Sequence, residues 1–506
     1  MFTTIHTAAV LGLDCTPITV EVDISNGWPG FCVVGLPDAA VQEAKERIRT
    51  AWKNTDLSFP NNKRVVINLA PADVRKEGTA YDLPMAVAMF MVNEGCKKDL
   101  SRSLFVGEMA LDGRLRHTTG ILPIAIYAKE QGFSSLYVPA VNAEEASVIK
   151  GITVYPVLSF QEIIAHIEDV QHISPFPARS FGELLQSPRH PLDMAEIKGH
   201  IFVKRALEIA ASGSHNILLN GPPGSGKTLL ARTYPSILPR LTIDEAIEVT
   251  KIYSVAGLLK EGEALITGRP FRSPHHSASS VALVGGGTFP RPGEISLAHR
   301  GVLFLDEFPE FPRPVLETLR QPLEDGLVTI SRAQGTITFP AQFSLIASQN
   351  PCPCGFATDP QKHCSCSQME ISRYQKKISG PLLDRIDLHV EVPRLEFDKL
   401  TSVNQGEASE IIRTRVETAR ERQHLRFKDS HCTTNSEMTN KEIRLHCAVD
   451  DASMSLLRQA VTTLQLSARS YHRILKVSRT ISDLAGSDEI KMEHVAEALQ
   501  YRTRTS

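Results

Sequence analysis

The chain has 506 residues, too many for one hydrophobic core, and reads as three domains. With 55 Lys and Arg against 57 Asp and Glu, its formal net charge is −2, so a polyanion partner must be met by local patches and not by a global field. Its apolar runs fall short of the ~20 residues a bilayer span needs. Met1 to His6 lacks a basic n-region, and nine cysteines without a disulfide framework suit a reducing compartment, so a cytoplasmic location with no membrane contact is expected.

Residues 1–170 alternate strands (Ile18–Asp23, Arg64–Asn68, Ser135–Val138) with helices (Asp38–Lys53, Leu83–Val92), the pattern of an α+β domain. Residues 171–190, with Pro175, Pro177 and Pro188 and then Pro191, read as a linker. An α/β nucleotide domain is expected over 191–395 and a helical domain over 396–506, giving a multidomain α/β chain.

The apolar run Asn216–Asn220 leads into Gly221-Pro222-Pro223-Gly224-Ser225-Gly226-Lys227-Thr228, which fits the G-x-x-x-x-G-K-[ST] phosphate loop between a strand and a helix. The glycines let backbone N–H groups turn around phosphates, Lys227 would reach the β- and γ-phosphates, and the Thr228 hydroxyl would ligate Mg²⁺. ATP and Mg²⁺ are the expected cofactors. Further on, the long segment Val255–Pro292, with His275, His276 and Gly285–Gly287, reads as an insertion into this domain.

The apolar strand Gly301–Leu305 ends in Asp306-Glu307. Asp306 would hold Mg²⁺ through water and Glu307 would polarise the attacking water. The strand Phe343–Ser348 ends in Gln349-Asn350, where the Asn350 amide can position that water; hydrolysis is therefore expected as well as binding. Between these strands, Leu327–Arg332 and Gly335–Phe339 alternate as a hairpin joined at Ala333-Gln334.

Cys352-Pro-Cys354 and Cys364-Ser-Cys366 form a C-x-C…C-x-C set. Four thiolates can close a tetrahedral Zn²⁺ site, with His363 able to replace one of them; the competing reading is a cluster of reduced or redox-active thiols. Lys362, Arg373, Lys376 and Lys377 form a basic patch beside it, readable as phosphate contacts or as solvated surface charge. If zinc is bound, Cys354→Ser is expected to weaken binding of a nucleic-acid backbone at the basic patch more than ATP binding, because the cluster lies beside that patch and away from the phosphate loop in sequence. The helix Arg413–Lys428 reads as an amphipathic lid helix.

These motifs, with Val34–Asp38, Asn68–Asp73, Arg272-Ser-Pro-His-His276, Gly380–Asp387 and Leu466–Arg473, resemble the YifB/ComM family of magnesium-chelatase-like AAA+ ATPases over essentially the whole chain. One departure is His200, near the expected adenine pocket, where the family more often has Gln. The resemblance implies a homo-hexameric ring in which Arg385 is an arginine finger reaching the neighbouring subunit and Arg469 a second sensor of the γ-phosphate. The hairpin bearing Arg332 and the His275–His276 insert would project into the pore, and Arg332, Lys376 and Lys377 would meet DNA.

The first domain resembles the Lon-type protease fold (ribosomal S5 domain 2-like). Ala80 and Leu122 stand where that fold carries its nucleophilic Ser and activating Lys, so amide cleavage has no chemistry to run. The function implied is an ATP-driven motor on single-stranded and branched DNA, a branch-migration helicase acting on recombination intermediates in natural transformation. Two alternatives are a motor for metal insertion into a tetrapyrrole and a Lon-like protease. The chelatase alternative draws on Asp451-Ala-Ser-Met-Ser455, a literal D-x-S-x-S metal pattern, here better read as a helix N-cap.

Overall fold

In the computed structural model, residues 2–55, 57–178, 190–287, 290–332, 335–395 and 406–502 are described, and they divide into two compact units. The first takes Met1–Ser187 together with Ile243–Thr267, and the second Pro188–Thr242 with Gly268–Ser506. Most of the expected linker, and residues 396–405, lie outside the described residues.

A seven-stranded mixed sheet forms the first unit, in the order Gly30–Val34, Arg64–Ala70, Asp14–Ser25, Phe2–Leu11, Ser103–Phe105, Ser135–Pro139, Thr153–Val157. Side chains alternate between two cores, as the two-residue strand period requires: Leu104 and Val106 enter one, Phe105 the other, and Leu136 and Val138 are split from Tyr137 in the same way. Helix Ala39–Lys53 starts where the Asp38 carboxylate accepts the Val41 N–H at 2.8 Å.

The segment 243–267 departs from the sequence expectation that 191–395 would form one body. Its helix Ile243–Ala256 is tied into the first unit through Ser254, whose hydroxyl donates to the buried Glu145 and whose carbonyl accepts the Gly120 N–H at 3.1 Å. Glu145 also accepts the Leu122 N–H at 2.8 Å and Asn142 Nδ2 at 3.1 Å. The expected Val255–Pro292 insertion is accordingly divided, its first part in this unit and the part bearing His275 and His276 in the second.

The second unit is built on five parallel strands in the order Phe271–Arg272, Val302–Leu305, Ser344–Gln349, Ile217–Asn220, Leu388–Glu391. Val302, Phe304, Ile346, Ile217, Leu219, Leu388 and Val390 anchor its core. They are covered by Ile201–Gly213 and by C-terminal helices, chiefly Ser409–Arg426 and Ala468–Leu484. A multidomain α/β architecture with a parallel sheet and a helical C-terminal region is thus observed. The expected hairpin is present as the antiparallel pair Leu327–Arg332 and Gly335–Pro340, with Arg332 opposite Gly335; its expected joint at Ala333-Gln334 lies outside the described residues.

Asp451-Ala-Ser-Met-Ser455 lies inside helix Asp451–Leu464, and the cap is Asp450, one residue earlier, accepting the Ser453 N–H at 2.8 Å. A helical D-x-S-x-S turns its side chains around an axis and offers no strand-end metal loop. No helix of the described residues is long and apolar enough to cross a membrane.

Candidate functional site

The sheet order sets the site. The strand ending at Gln349 lies between the phosphate-loop strand and the acidic strand, with Asn220 opposite Gln349 and Leu305 opposite Ala347. All three run parallel, so their C-terminal ends, and the loops carrying Gly221, Asp306 and Asn350, share one edge. That edge is where open α/β sheets bind ligands.

Gly221 packs so closely on Val392 that a Cβ would lie 2.2 Å from its carbonyl oxygen, and Gly226 has φ +87°, a left-handed geometry that admits glycine without strain. Lys227 is 8% exposed, and its ammonium donates to the Gly221 carbonyl at 2.7 Å, the Pro222 carbonyl at 2.9 Å and Asn350 Oδ1 at 3.2 Å. Burial pulls its pKa below the ordinary lysine value. Thr228 Oγ1 donates to Asp306 Oδ2 at 2.8 Å, putting two hard oxygen donors side by side as Mg²⁺ requires.

Asp306 is further held by the Ser348 hydroxyl and by the Glu307 N–H at 3.1 Å. Ser348 ends the strand expected from sequence, but its bond to Asp306 was not foreseen; its place two residues before Asn350 on the middle strand was the available signal. Glu307 adopts φ +51°, is half exposed, and has Oε2 3.3 Å from His276 Nδ1. Asn220 Oδ1, Ser225 Oγ and His200 Nδ1 are buried without hydrogen-bond partners among the described residues. His200 stands beside the loop, its Nε2 3.8 Å from the position a Gly226 Cβ would take, and burial lowers its pKa. A polar ligand at this edge would meet donors and acceptors whose capacity is unmet.

Arg385 is elsewhere. It precedes the strand Leu388–Glu391, whose register sets Leu388 opposite Ile217, so it lies at the strands' N-terminal end, opposite the phosphate loop. There Asn216 Nδ2 donates to its carbonyl at 2.9 Å. The guanidinium donates to the Pro381 carbonyl at 2.7 Å and to Glu324. Arg469 is exposed and also acts electrostatically on Glu324, so the two arginines share this end. Arg473, 9% exposed, donates to the carbonyls of Ile386 at 2.8 Å and Asp384 at 3.1 Å, fixing the backbone on both sides of Arg385.

The four thiols of Cys352, Cys354, Cys364 and Cys366 lie within 4.8 Å of one another, and His363 is outside that set. Sulfurs are 3.3 Å apart for Cys352–Cys354, 3.5 Å for Cys354–Cys364 and 3.7 Å for Cys352–Cys364. Zn–S bonds of ~2.3 Å give tetrahedral edges of roughly 3.8 Å, so the donor set fits a tetrahedral ion. The Cys354 thiol is pulled down to about 5, chiefly by the Phe356 backbone hydrogen bond, whereas Cys364 and Cys366, despite backbone hydrogen bonds that lower them, are pushed up by desolvation and by the Cys352 and Cys354 thiols.

In the basic patch, Lys377 is engaged: its ammonium is 3.0 Å from Glu310 and 5.3 Å above the Tyr374 ring. Lys362 sits over Phe356 at 4.9 Å. Arg373 and Lys376 are exposed. The Arg332 backbone is at the hairpin tip, and its side chain lies outside the description. On helix Ser409–Arg426, Arg413, Arg415, Arg422 and Arg426 are ion-paired, Arg415 with Glu208 at 2.6 Å and Arg422 with Asp488 at 3.1 Å, while Arg420 donates to the Ala211 carbonyl and to Ser214.

Three family profiles cover most of the chain: "Subunit ChlI of Mg-chelatase" over residues 20–142, "Magnesium chelatase, subunit ChlI" over 193–400, and "Magnesium chelatase, subunit ChlI C-terminal" over 406–502. The chain is 43% identical to competence protein ComM of Haemophilus influenzae, across 98% of this chain and 97% of that protein. It is 42% identical to the uncharacterized protein YifB of Salmonella typhimurium (98% and 96% covered) and 42% identical to that of Escherichia coli (98% and 96%). The chain belongs to the YifB/ComM family of magnesium-chelatase-like AAA+ ATPases.

Proposed function

We propose that this family member is an ATP-hydrolysing, ring-forming DNA motor that moves branched recombination intermediates. One observation carries the reading: Lys227, Thr228, Asp306, Glu307 and Asn350 converge on one sheet edge, while Arg385 lies at the other end of the strands. A finger so placed is suited to a neighbouring subunit's nucleotide, and the expected assembly is a homo-hexamer. Arg469, beside it, is read as acting across the same boundary.

In that reading Lys227 leaves its carbonyl partners for the β- and γ-phosphates, and Asn350 and Glu307 orient and polarise the attacking water. Thr228 and Asp306 would hold Mg²⁺, which when bound neutralises charge on the phosphate oxygens. His200, whose Nε2 lies beside the loop and whose Nδ1 is buried without a partner, is read as meeting the nucleotide in the role the family more often gives to Gln. The four cysteines would hold one Zn²⁺.

A relative's name, competence protein ComM, favours DNA taken up in natural transformation as the substrate, and a cytoplasmic location with it. Arg332, Lys376 and, once released from Glu310, Lys377 are the proposed phosphate contacts. They grip the backbone without reading sequence. The first unit is read as a Lon-like, S5 domain 2-like platform without protease chemistry, since Ala80 carries no nucleophile and the buried Leu122 no amine. The metal-insertion reading loses its D-x-S-x-S support to the helix Asp451–Leu464.

The test is hydrolysis with single-stranded, duplex and branched DNA. Three- and four-stranded junctions should stimulate turnover and be resolved with ATP and Mg²⁺, whereas Glu307→Gln protein should bind them without moving them. Stimulation by a tetrapyrrole or a protein partner, with junctions inert, would overturn the DNA reading.

A further inference from the structure

The cysteine module, remote from the phosphate loop in sequence, is built against it. Residues 351–367 contain no helix or strand, so their path depends on local turns and side-chain ties. Asn350, which holds Lys227 at 3.2 Å, is two residues from Cys352, which is fully buried. Gly355, directly after Cys354, has φ +86° and closes a turn by donating its N–H to the Cys352 carbonyl at 2.9 Å. A Cβ at Gly355 would lie 2.6 Å from both Cγ and Cδ of Pro223, within the phosphate loop, and 3.9 Å from Asn350 Cγ.

Two more ties surround this contact. Arg394 reaches the buried Asp359 at 3.4 Å, and it follows by two residues Val392, whose carbonyl abuts Gly221. Downstream of the cysteines, helix Gln368–Gln375 brings the hydroxyl of buried Tyr374 to the backbone of Asn350. The module therefore touches the nucleotide site at Pro223, and both of its ends, Cys352 and the helix that follows Cys366, meet Asn350.

We propose that the four-cysteine module is a positioning device for the nucleotide site: a tetrahedral metal ion bound by Cys352, Cys354, Cys364 and Cys366 fixes Gly355 against Pro223 and Asn350 beside Lys227, so metal and nucleotide affinities are linked. In an irregular loop, metal binding supplies ordering free energy directly. Without it Gly355 and Asn350 lose their fixed positions, and the phosphate loop loses the wall behind Pro223. Linkage is reciprocal, so a nucleotide that binds the ordered loop must tighten the metal by the same factor, typically about 5- to 150-fold. The inference rests on the nucleotide and metal readings above.

The experiment uses the full chain, freshly reduced and zinc-loaded, with a fluorescent ADP analogue as nucleotide probe. Stripping zinc with a chelator should weaken analogue binding by about 5-fold or more, and zinc return should restore it. ADP should slow chelator-driven zinc release from wild-type protein. Gly355→Ala should keep its zinc yet weaken analogue binding, and Gly355→Ala/Pro223→Ala, which removes the ring atoms the new Cβ strikes, should recover part of the loss.

Additive effects of the two substitutions would overturn the contact. Zinc release blind to ADP, with analogue affinity unchanged by stripping, would overturn the linkage, as would protein that takes up no zinc at all. If zinc-loaded wild type binds no nucleotide, it is the nucleotide reading that fails.

Discussion

His276 Nδ1 lies 3.3 Å from Glu307 Oε2, so the carboxylate proposed to polarise water is engaged by an imidazole from the Arg272-Ser-Pro-His-His276 segment. Both side chains are partly exposed, and pairs of that kind are worth ~0.2–1 kcal/mol. His276→Ala should therefore free Glu307 and raise DNA-independent ATP turnover by about 1.4- to 5-fold while narrowing the DNA stimulation. A fall in basal turnover, measured against wild type at equal nucleotide occupancy, would mean that His276 orients Glu307 for catalysis and does not restrain it.

Lys227→Ala should abolish nucleotide binding, because no other ammonium stands at Gly221, Pro222 and Asn350 among the described residues. Glu307→Gln keeps the site's shape and should bind ATP normally but stop turnover, trapping an ATP-loaded ring. Equilibrium binding and single-turnover assays on both variants separate the roles, and equal loss of binding in the two would contradict them.

Arg385→Ala should bind ATP and lose ~10³–10⁵ in turnover, the range for a finger supplied from outside. Mixed with Lys227→Ala protein it should regain activity, since intact Arg385 of one subunit can then face intact Lys227 of another. No rescue in rings shown to be mixed would place Arg385 in cis. Arg473→Ala should behave differently: it removes two buried hydrogen bonds, to the Asp384 and Ile386 carbonyls, and should destabilise the fold by ~1–3 kcal/mol, read by denaturant melts, besides slowing turnover.

Burial lowers the Lys227 pKa from its ordinary 10.5. Phosphates favour the charged ammonium, so binding takes up a proton wherever the free protein has lost it. Nucleotide affinity should be flat at lower pH and fall as pH rises through the depressed value, below 10.5. Stability moves the other way, because there the unfolded chain binds the extra proton and rising pH favours the folded state. Lys227→Arg, with no titration in that window, should lose the pH-dependent fall; an identical fall in both would assign it to another group.

Chemistry that needs neighbouring residues was legible in the sequence. Gly221–Thr228, Asp306-Glu307 and Asn350 each stand at the end of an apolar strand, and the structure brings them to one edge because parallel strands align their C-terminal ends. The cysteine spacing likewise foretold a four-thiol cluster. Helical periodicity located Ala39–Lys53 and Asp82–Asn93, and alternation the hairpin Leu327–Pro340, to within a residue or two of the described bounds. A short motif fixes its own local geometry, so where its residues sit can be read from their spacing.

Tertiary structure alone decided what each motif touches. That Ile243–Thr267 joins the first unit follows from Ser254 meeting the buried Glu145, a pairing no periodicity encodes. That Arg469 stands with Arg385 around Glu324, and that Lys377 is held by Glu310, depends on which helices cover which end of the sheet. The cysteine module is the sharpest case. Its distance from the phosphate loop along the chain suggested independence, yet Gly355 packs on Pro223 because their two strands are neighbours in the sheet. Strand order is set by burying the shared core, a property of the whole chain, and local sequence carries no record of it.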